Sequence, residues 1–172
     1  MPLKTVQLDV TDDISVKNAI QSITSEANRI DVLVNNAGYA VVGAFEDCSM
    51  EEIKAQYETN LFGVIRVTQD VLPIMRKQKS GIIVNISSGA GKIAIPVQSA
   101  YVSTKFAIEG LSESMAYELE PFGIKMVLVE PGFIKTDLFA NRITAKKSQD
   151  ANSPYSQLMK ITVWRQALLL ML

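Results

Sequence analysis

Tyr101 and Lys105 stand four positions apart near the start of a segment with helical apolar spacing. Both side chains therefore emerge on one helix face, with Cβ atoms roughly 5–6 Å apart. A phenol ordinarily ionises near pH ~10, and a fixed ammonium beside it favours the phenolate, each unit of depression corresponding to roughly 1.4 kcal/mol. Such a pair can trade a proton with a bound molecule near neutrality. Ser88 precedes Tyr101 by thirteen residues and follows an apolar run; the carboxyl ends of strands are where open α/β sheets place their ligands. The chain contains no histidine, which removes the commonest general base and, with it, a Ser-His-Asp or Cys-His reading. Taken singly, these residues have plainer explanations: Tyr and Lys often share a solvated helix face, and Ser87-Ser88 is also ordinary turn chemistry.

The elements that must position them follow from periodicity. Thr5 to Leu8 reads as a short strand, and Asp9-Val10-Thr11-Asp12 supplies polar capping residues for a helix from Ile14 to Ala27. Asp31 to Val34 is a continuous apolar run, the pattern of a strand buried on both faces, closed by Asn35-Asn36-Ala37-Gly38. Ser49 and Glu52 have capping-box spacing at the start of a helix from Met50 to Arg76, with Pro73 placed to kink its last turn. Gly81 to Ile86 is a third strand, followed by a small-residue loop to Gln98 that is expected to be flexible. Ile108, Leu111, Met115 and Leu119 mark one face of a helix from Ser99 to Glu120, and Lys125 to Val129 is a fourth strand. Beyond Leu138 the pattern weakens. Strands alternating with helices predict an α/β fold with a parallel sheet and right-handed crossovers. The reading is one domain or part of one.

Bulk properties narrow the partners. The chain has 172 residues, 17 basic and 18 acidic, for a formal net charge of -1, so no long-range field draws it to nucleic acid or an anionic membrane. Cys48 is the single cysteine; it offers neither an intrachain disulfide nor zinc spacing, and a reducing cytoplasm fits. No base lies near it in sequence, so it is given no role. The N-terminus lacks a signal-peptide pattern, and the apolar tail from Ala167 to Leu172 is far shorter than the roughly 20 residues that cross a bilayer. A small-molecule partner is expected, and no metal site.

The stretches Asp9-Val10, Asn35-Asn36-Ala37-Gly38, Asn60, Ile86-Ser87-Ser88, Tyr101-Val102-Ser103-Thr104-Lys105 and Pro131-Gly132-Phe133-Ile134-Lys135-Thr136 together resemble, in order and spacing, the short-chain dehydrogenase/reductase family. The resemblance spans about Val6 to Leu138. It implies a Rossmann-like doubly wound parallel sheet, here partial, with helices on both faces, and NAD(P)(H)-dependent interconversion of a carbonyl and an alcohol. Tyr101 would be the general acid in reduction and base in oxidation. Ser88 would bind the substrate oxygen, and Lys105 would lower the Tyr101 pKa and hold the nicotinamide ribose. Asn60 would fix a water linking Lys105 to solvent. The resemblance also places Asp9 and Val10 at the adenine, Asn36, Ala37 and Gly38 along the adenosine ribose, and Pro131, Gly132, Ile134 and Thr136 around the nicotinamide. Whether the cofactor is NAD or NADP is left open.

The family begins with a strand and a glycine-rich turn that binds the pyrophosphate at a helix N-terminus. Here the first glycine is Gly38. Gly89-Ala90-Gly91 lacks the third glycine of that fingerprint and is assigned to the substrate loop instead. The expectation is therefore a partial cofactor-binding domain over residues 1–142, a core sheet from Asp31, Gly81 and Lys125, a loosely docked first strand, and a poorly patterned tail over 143–172. Tight cofactor binding by this chain alone is not expected. Phe133, Leu138, Phe139 and Ile143 point to an apolar lid over an apolar or amphipathic substrate. Two rivals stay open: an interaction protein that retains the family's dimer-forming helices and pairs with a longer relative, and an NAD(P)H sensor. Helix faces suited to homo-oligomers look the same in a monomer.

Overall fold

The computed structural model describes residues 3–132, 134 and 142–169, with side chains through 162. Helix α1 (Asp13–Ala27) starts where the Asp12 carboxylate accepts from the Ile14 and Ser15 backbone N–H groups, and it ends at Asn28 in the left-handed conformation. Strand β1 (Val32–Asn35) follows, then the two-residue β2 (Val41–Val42). The expected long helix begins at α2 (Met50–Tyr57), where Ser49 and Glu52 make the capping box in full. It continues through a widened π-helical turn (Glu58–Phe62) into α3 (Gly63–Gln78), which contains Pro73. β3 (Gly81–Ile86), α4 (Ser99–Leu119) and β4 (Ile124–Val129) lie close to their expected bounds.

β1, β3 and β4 form one parallel sheet in the order β1-β3-β4, with Leu33 beside Ile83 and Ile83 beside Met126. This is the core sheet expected from the three apolar runs. Period-two alternation sends Leu33, Ile83, Ile124 and Met126 to the face where Val16 and Ile20 of α1, Val67, Val71 and Met75 of α3, and Leu119 of α4 pack. Fully burying a side chain of this size contributes about 1.5–3 kcal/mol, so this cluster is the principal apolar stabilisation.

Two expectations change. Thr5 to Leu8 forms no strand and is exposed: a strand exists only where a neighbour supplies the hydrogen-bond ladder, and no described strand lies beside it. α1, α3 and α4 pack on one face of the sheet, and the apolar runs were expected to be buried on both. Val32, Val34, Ile82, Val127 and Val129 face away from that core and are exposed, so an unbroken apolar run did not distinguish a strand covered on one face from one covered on both.

The segment after residue 142 has more structure than its pattern indicated. β5 (Ile143–Thr144) pairs in parallel with β2, and α5 (Ser156–Leu169) closes the described chain. Two-residue strands are too short to leave a period. Ala145 is fully buried, and Ser148 and Ser153 donate to the Asp47 carboxylate, fastening this segment to the loop after β2.

The turn into β4 depends on Gly123, at φ +69°, where a Cβ would stand 2.5 Å from the Lys79 carbonyl oxygen. Gly123→Ala combines left-handed strain with a backbone collision and should destabilise the protein by about 2–3 kcal/mol. The urea midpoint reads this; a midpoint equal to that of the parent protein would contradict the placement of the turn.

Candidate active site

The three strand ends bring the chemistry together. β3 delivers Ser87 and Ser88 at its carboxyl end, where Ser87 N–H bonds the Val129 carbonyl of β4 and Gly89 N–H bonds that of Pro131. The next residues were expected to be flexible, but they form a tight 3-10 turn (Gly89–Gly91) in which the Ser88 hydroxyl accepts from Ala90 N–H at 3.1 Å. Ala90 and Gly91 are buried, and a Cβ on Gly91 would meet Ser87 Oγ at 2.8 Å and Glu109 Oε1 at 2.9 Å. Small residues here allow close packing rather than mobility.

α4 then presents Tyr101 and Lys105 from one face, both buried. Lys105 Nζ donates to the Ile86 carbonyl at 2.8 Å and stands 5.7 Å from the centre of the Tyr101 ring. Burial pushes the Tyr101 phenol above its ordinary range, opposed by its hydrogen bond with Ser88. Burial likewise pulls Lys105 down to about 8, opposed by the Glu109 carboxylate. Lys105 was expected to depress the Tyr101 pKa; burial, which favours the neutral form of each group, is the largest influence on both.

Asn60 sits in the π-helical turn, not in regular helix, and is buried. Its Oδ1 accepts from Tyr39 N–H at 3.1 Å, and its Nδ2 donates to the Tyr39 carbonyl at 2.9 Å and approaches Thr104 Oγ1 at 3.5 Å. The side chain thus clamps the turn after β1 against α4. Below it runs a buried polar ladder, Thr68 to Asn35 to Asn85 to Ser112, with contacts of 2.8–3.0 Å.

Ser88, Tyr101 and Lys105 open onto a cleft of about 660 Å³ that Asn36, Gly38, Pro131, Gly132 and Ile134 also line, whereas Asn60 is not part of its lining. Eight sequence-selected residues therefore share one site. Ala37 lies between two of them without lining the cleft, and Thr136, Phe133, Leu138 and Phe139 fall outside the described residues. Asp9 and Val10 are elsewhere: the Asp9 carboxylate accepts from both the backbone and the hydroxyl of Thr11, while Val10 packs where a Cβ on Gly63 would touch it. Sequence reasoning missed Tyr39, Ile93, Ile95, Gln98 and Arg142, which also line the cleft. They carry no local pattern; Gln98 could have been found only as the residue just before the helix that bears Tyr101.

A family model described as short chain dehydrogenase matches residues 2–147. The chain belongs to the short-chain dehydrogenase family. Among relatives of this chain, a 3-ketodihydrosphingosine reductase from Bacteroides thetaiotaomicron is 49% identical over 135 residues, covering 78% of this chain and 50% of the relative. A short-chain dehydrogenase structure from Streptomyces avermitilis superposes with a TM-score of 0.75 at 36% identity, covering 95% of this chain and 64% of that one. A gluconate 5-dehydrogenase from Burkholderia cenocepacia, solved with NADP and tartrate, gives 0.73 at 31% identity, with 76% and 51% covered. This short-chain dehydrogenase chain spans about half the length of the curated relatives it matches. No described helix is long and apolar enough to cross a membrane.

Proposed function

We propose that this site interconverts a carbonyl and an alcohol with NAD or NADP, in the reducing setting of the cytoplasm that a single free cysteine suits. The observation that carries the reading is the convergence of Ser88, Tyr101 and Lys105 on one cleft, with Lys105 buried and bonded to one described acceptor, the Ile86 carbonyl. An ammonium has three donors, so a ribose diol would satisfy the remainder. Gly132, beside which a Cβ would meet no atom of the described residues within 4 Å, leaves room there for a flat ring. The residues present therefore fit the nicotinamide half of a dinucleotide. Asn36, Gly38, Pro131, Gly132 and Ile134 would line its path, with Thr136 following; Asp9 and Val10 would serve the adenine end.

The cofactor supplies the hydride when bound. The chain's own residues handle the oxygen. Ser88 donates a hydrogen bond to it, and neutral Tyr101 delivers its proton in the reduction direction; the raised phenol pKa keeps that proton in place throughout the neutral range. In oxidation Tyr101 must first lose the proton, which the charged Lys105 beside it favours. Asn60 contributes by holding the Tyr39 turn that forms one wall.

The wall formed by Ala40, Val42, Ala90, Ile93 and Ile95 is apolar, which supports an apolar or amphipathic carbonyl compound as substrate. Nicotinamide absorbance, with a panel of carbonyl compounds and both reduced cofactors, tests the proposal on this chain and on the chain extended upstream with a relative's leading segment. Turnover that disappears in Ser88→Ala is expected. Turnover unaffected by that change would remove the site from its role.

A further inference from the structure

We propose that Glu109 is a positioning residue for this site: a buried carboxylate one helical turn beyond Lys105 that keeps the Lys105 ammonium charged and held at the end of β3. The catalytic consequence rests on the function proposed above, whereas the electrostatic claim needs no turnover and starts from the spacing and burial of one row of side chains on α4.

Tyr101, Lys105 and Glu109 follow one another at four-residue steps along α4 and are 6%, 9% and 5% exposed, so they form a single buried row. Glu109 is enclosed, yet neither of its carboxylate oxygens has a hydrogen-bond donor among the described residues. Lys92 Nζ lies 2.9 Å from Oε2 as an ion pair. A buried carboxylate lacking hydrogen bonds is costly unless cations flank it. Lys92 supplies one cation, and Lys105, one turn earlier on the same helix, is the other.

The placement is specific. Gly91 admits the carboxylate, since a Cβ there would come within 2.9 Å of Oε1, and Ser87 Oγ, buried and without a hydrogen-bond partner among the described residues, borders the same gap. Ser87 directly follows Ile86, whose carbonyl holds Lys105 Nζ. The other charged groups at hand are Glu113 and Glu130, whose oxygens lie 4.0 and 3.3 Å from Lys92 Nζ. All three carboxylates share Lys92, and Glu109 is the one of them that stands a single helical turn from Lys105 on α4. Its Coulombic attraction opposes the desolvation that strips Lys105 of its proton. Without that attraction the lysine would be partly neutral near pH 7 and less able to favour the Tyr101 phenolate.

The test is the titration of Lys105 followed by NMR of isotope-labelled lysine ε-carbons, its resonance assigned by absence in Lys105→Met. The parent protein should show a midpoint of about 8. Glu109→Gln, nearly isosteric, should move it down by about one pH unit, while Glu113→Gln leaves it in place. A midpoint in Glu109→Gln at or above the parent value overturns the inference. Should Glu109→Gln fail to fold, Glu109→Asp carries the test: the retained but withdrawn charge must move the midpoint down by less, and an unmoved midpoint again overturns it. The reading needs no turnover. If the midpoint shifts but no carbonyl compound is ever reduced, the proposed function falls and this inference stands; if turnover exists, the limb of the pH–rate profile belonging to Lys105 must shift in step.

Discussion

Tyr101→Phe is expected to lower turnover by about 10²–10⁴-fold, the usual contribution of a positioned general acid or base. The ring is buried against Ala40 and Ala90, and Phe fills the same space. Only the hydroxyl and its bond with Ser88 are lost, costing about 1 kcal/mol of stability. Cofactor affinity should change little, because the ribose hydroxyls are assigned to Lys105. The variant thus separates chemistry from folding: kcat collapses while the melting temperature and the NAD(P)H dissociation constant stay near the parent values. Turnover within tenfold of the parent enzyme would take the proton-transfer role away from Tyr101.

Lys105→Met should abolish the same turnover and yet make the protein more stable at neutral pH. Lys105 has a folded-state pKa of about 8 against an ordinary value of 10.5. Below pH 8 the charge is present in both folded and unfolded chains, and the folded state bears the full penalty, about 3 kcal/mol at roughly 1.4 kcal/mol per unit. Between pH 8 and 10.5 the folded state releases its proton first, so stability rises with pH; above 10.5 the penalty is gone. Methionine removes the penalty but leaves the Ile86 carbonyl without its partner, which takes back about 1–2 kcal/mol. The net gain at pH 7 is therefore about 1–2 kcal/mol, and it should vanish or reverse toward pH 10.5. Urea unfolding at both ends of this window measures it. A variant less stable than the parent at pH 7 would mean that Lys105 is better solvated than its burial indicates.

Such a trade is expected at a site where a charge is kept in an unfavourable place for use. Glu109 belongs to the same economy of charge: two buried ions on one helix face reduce each other's penalty while each remains more costly than an apolar residue would be.

Local chemistry made much of this legible. Ser49 and Glu52 gave the start of α2 because a capping box is closed within four residues. The three apolar runs gave β1, β3 and β4 because parallel strands are covered by helices, and the four-residue spacing placed Tyr101 and Lys105 on one face of α4. The π-helical turn at Asn60 escaped notice, since one inserted residue leaves the helical period on either side almost intact. β2 and β5 escaped because each is two residues long and finds its partner a hundred positions away.

The sequence by itself determined which residues are present and which elements carry them: Ser88 at a strand end, Tyr101 and Lys105 on a helix, Asn36 and Gly38 in a turn. Periodicity, capping and spacing are local, and local order suffices to read them. Only the tertiary structure decided that these residues share one cleft, that Asn60 spends its side chain on Tyr39, that Thr5 to Leu8 finds no ladder, and that Glu109 is shut in behind Lys105. Burial and field strength come from contacts between distant segments, so the ionisation of Tyr101 and Lys105 is a property of the packed molecule and not of the motif that names them.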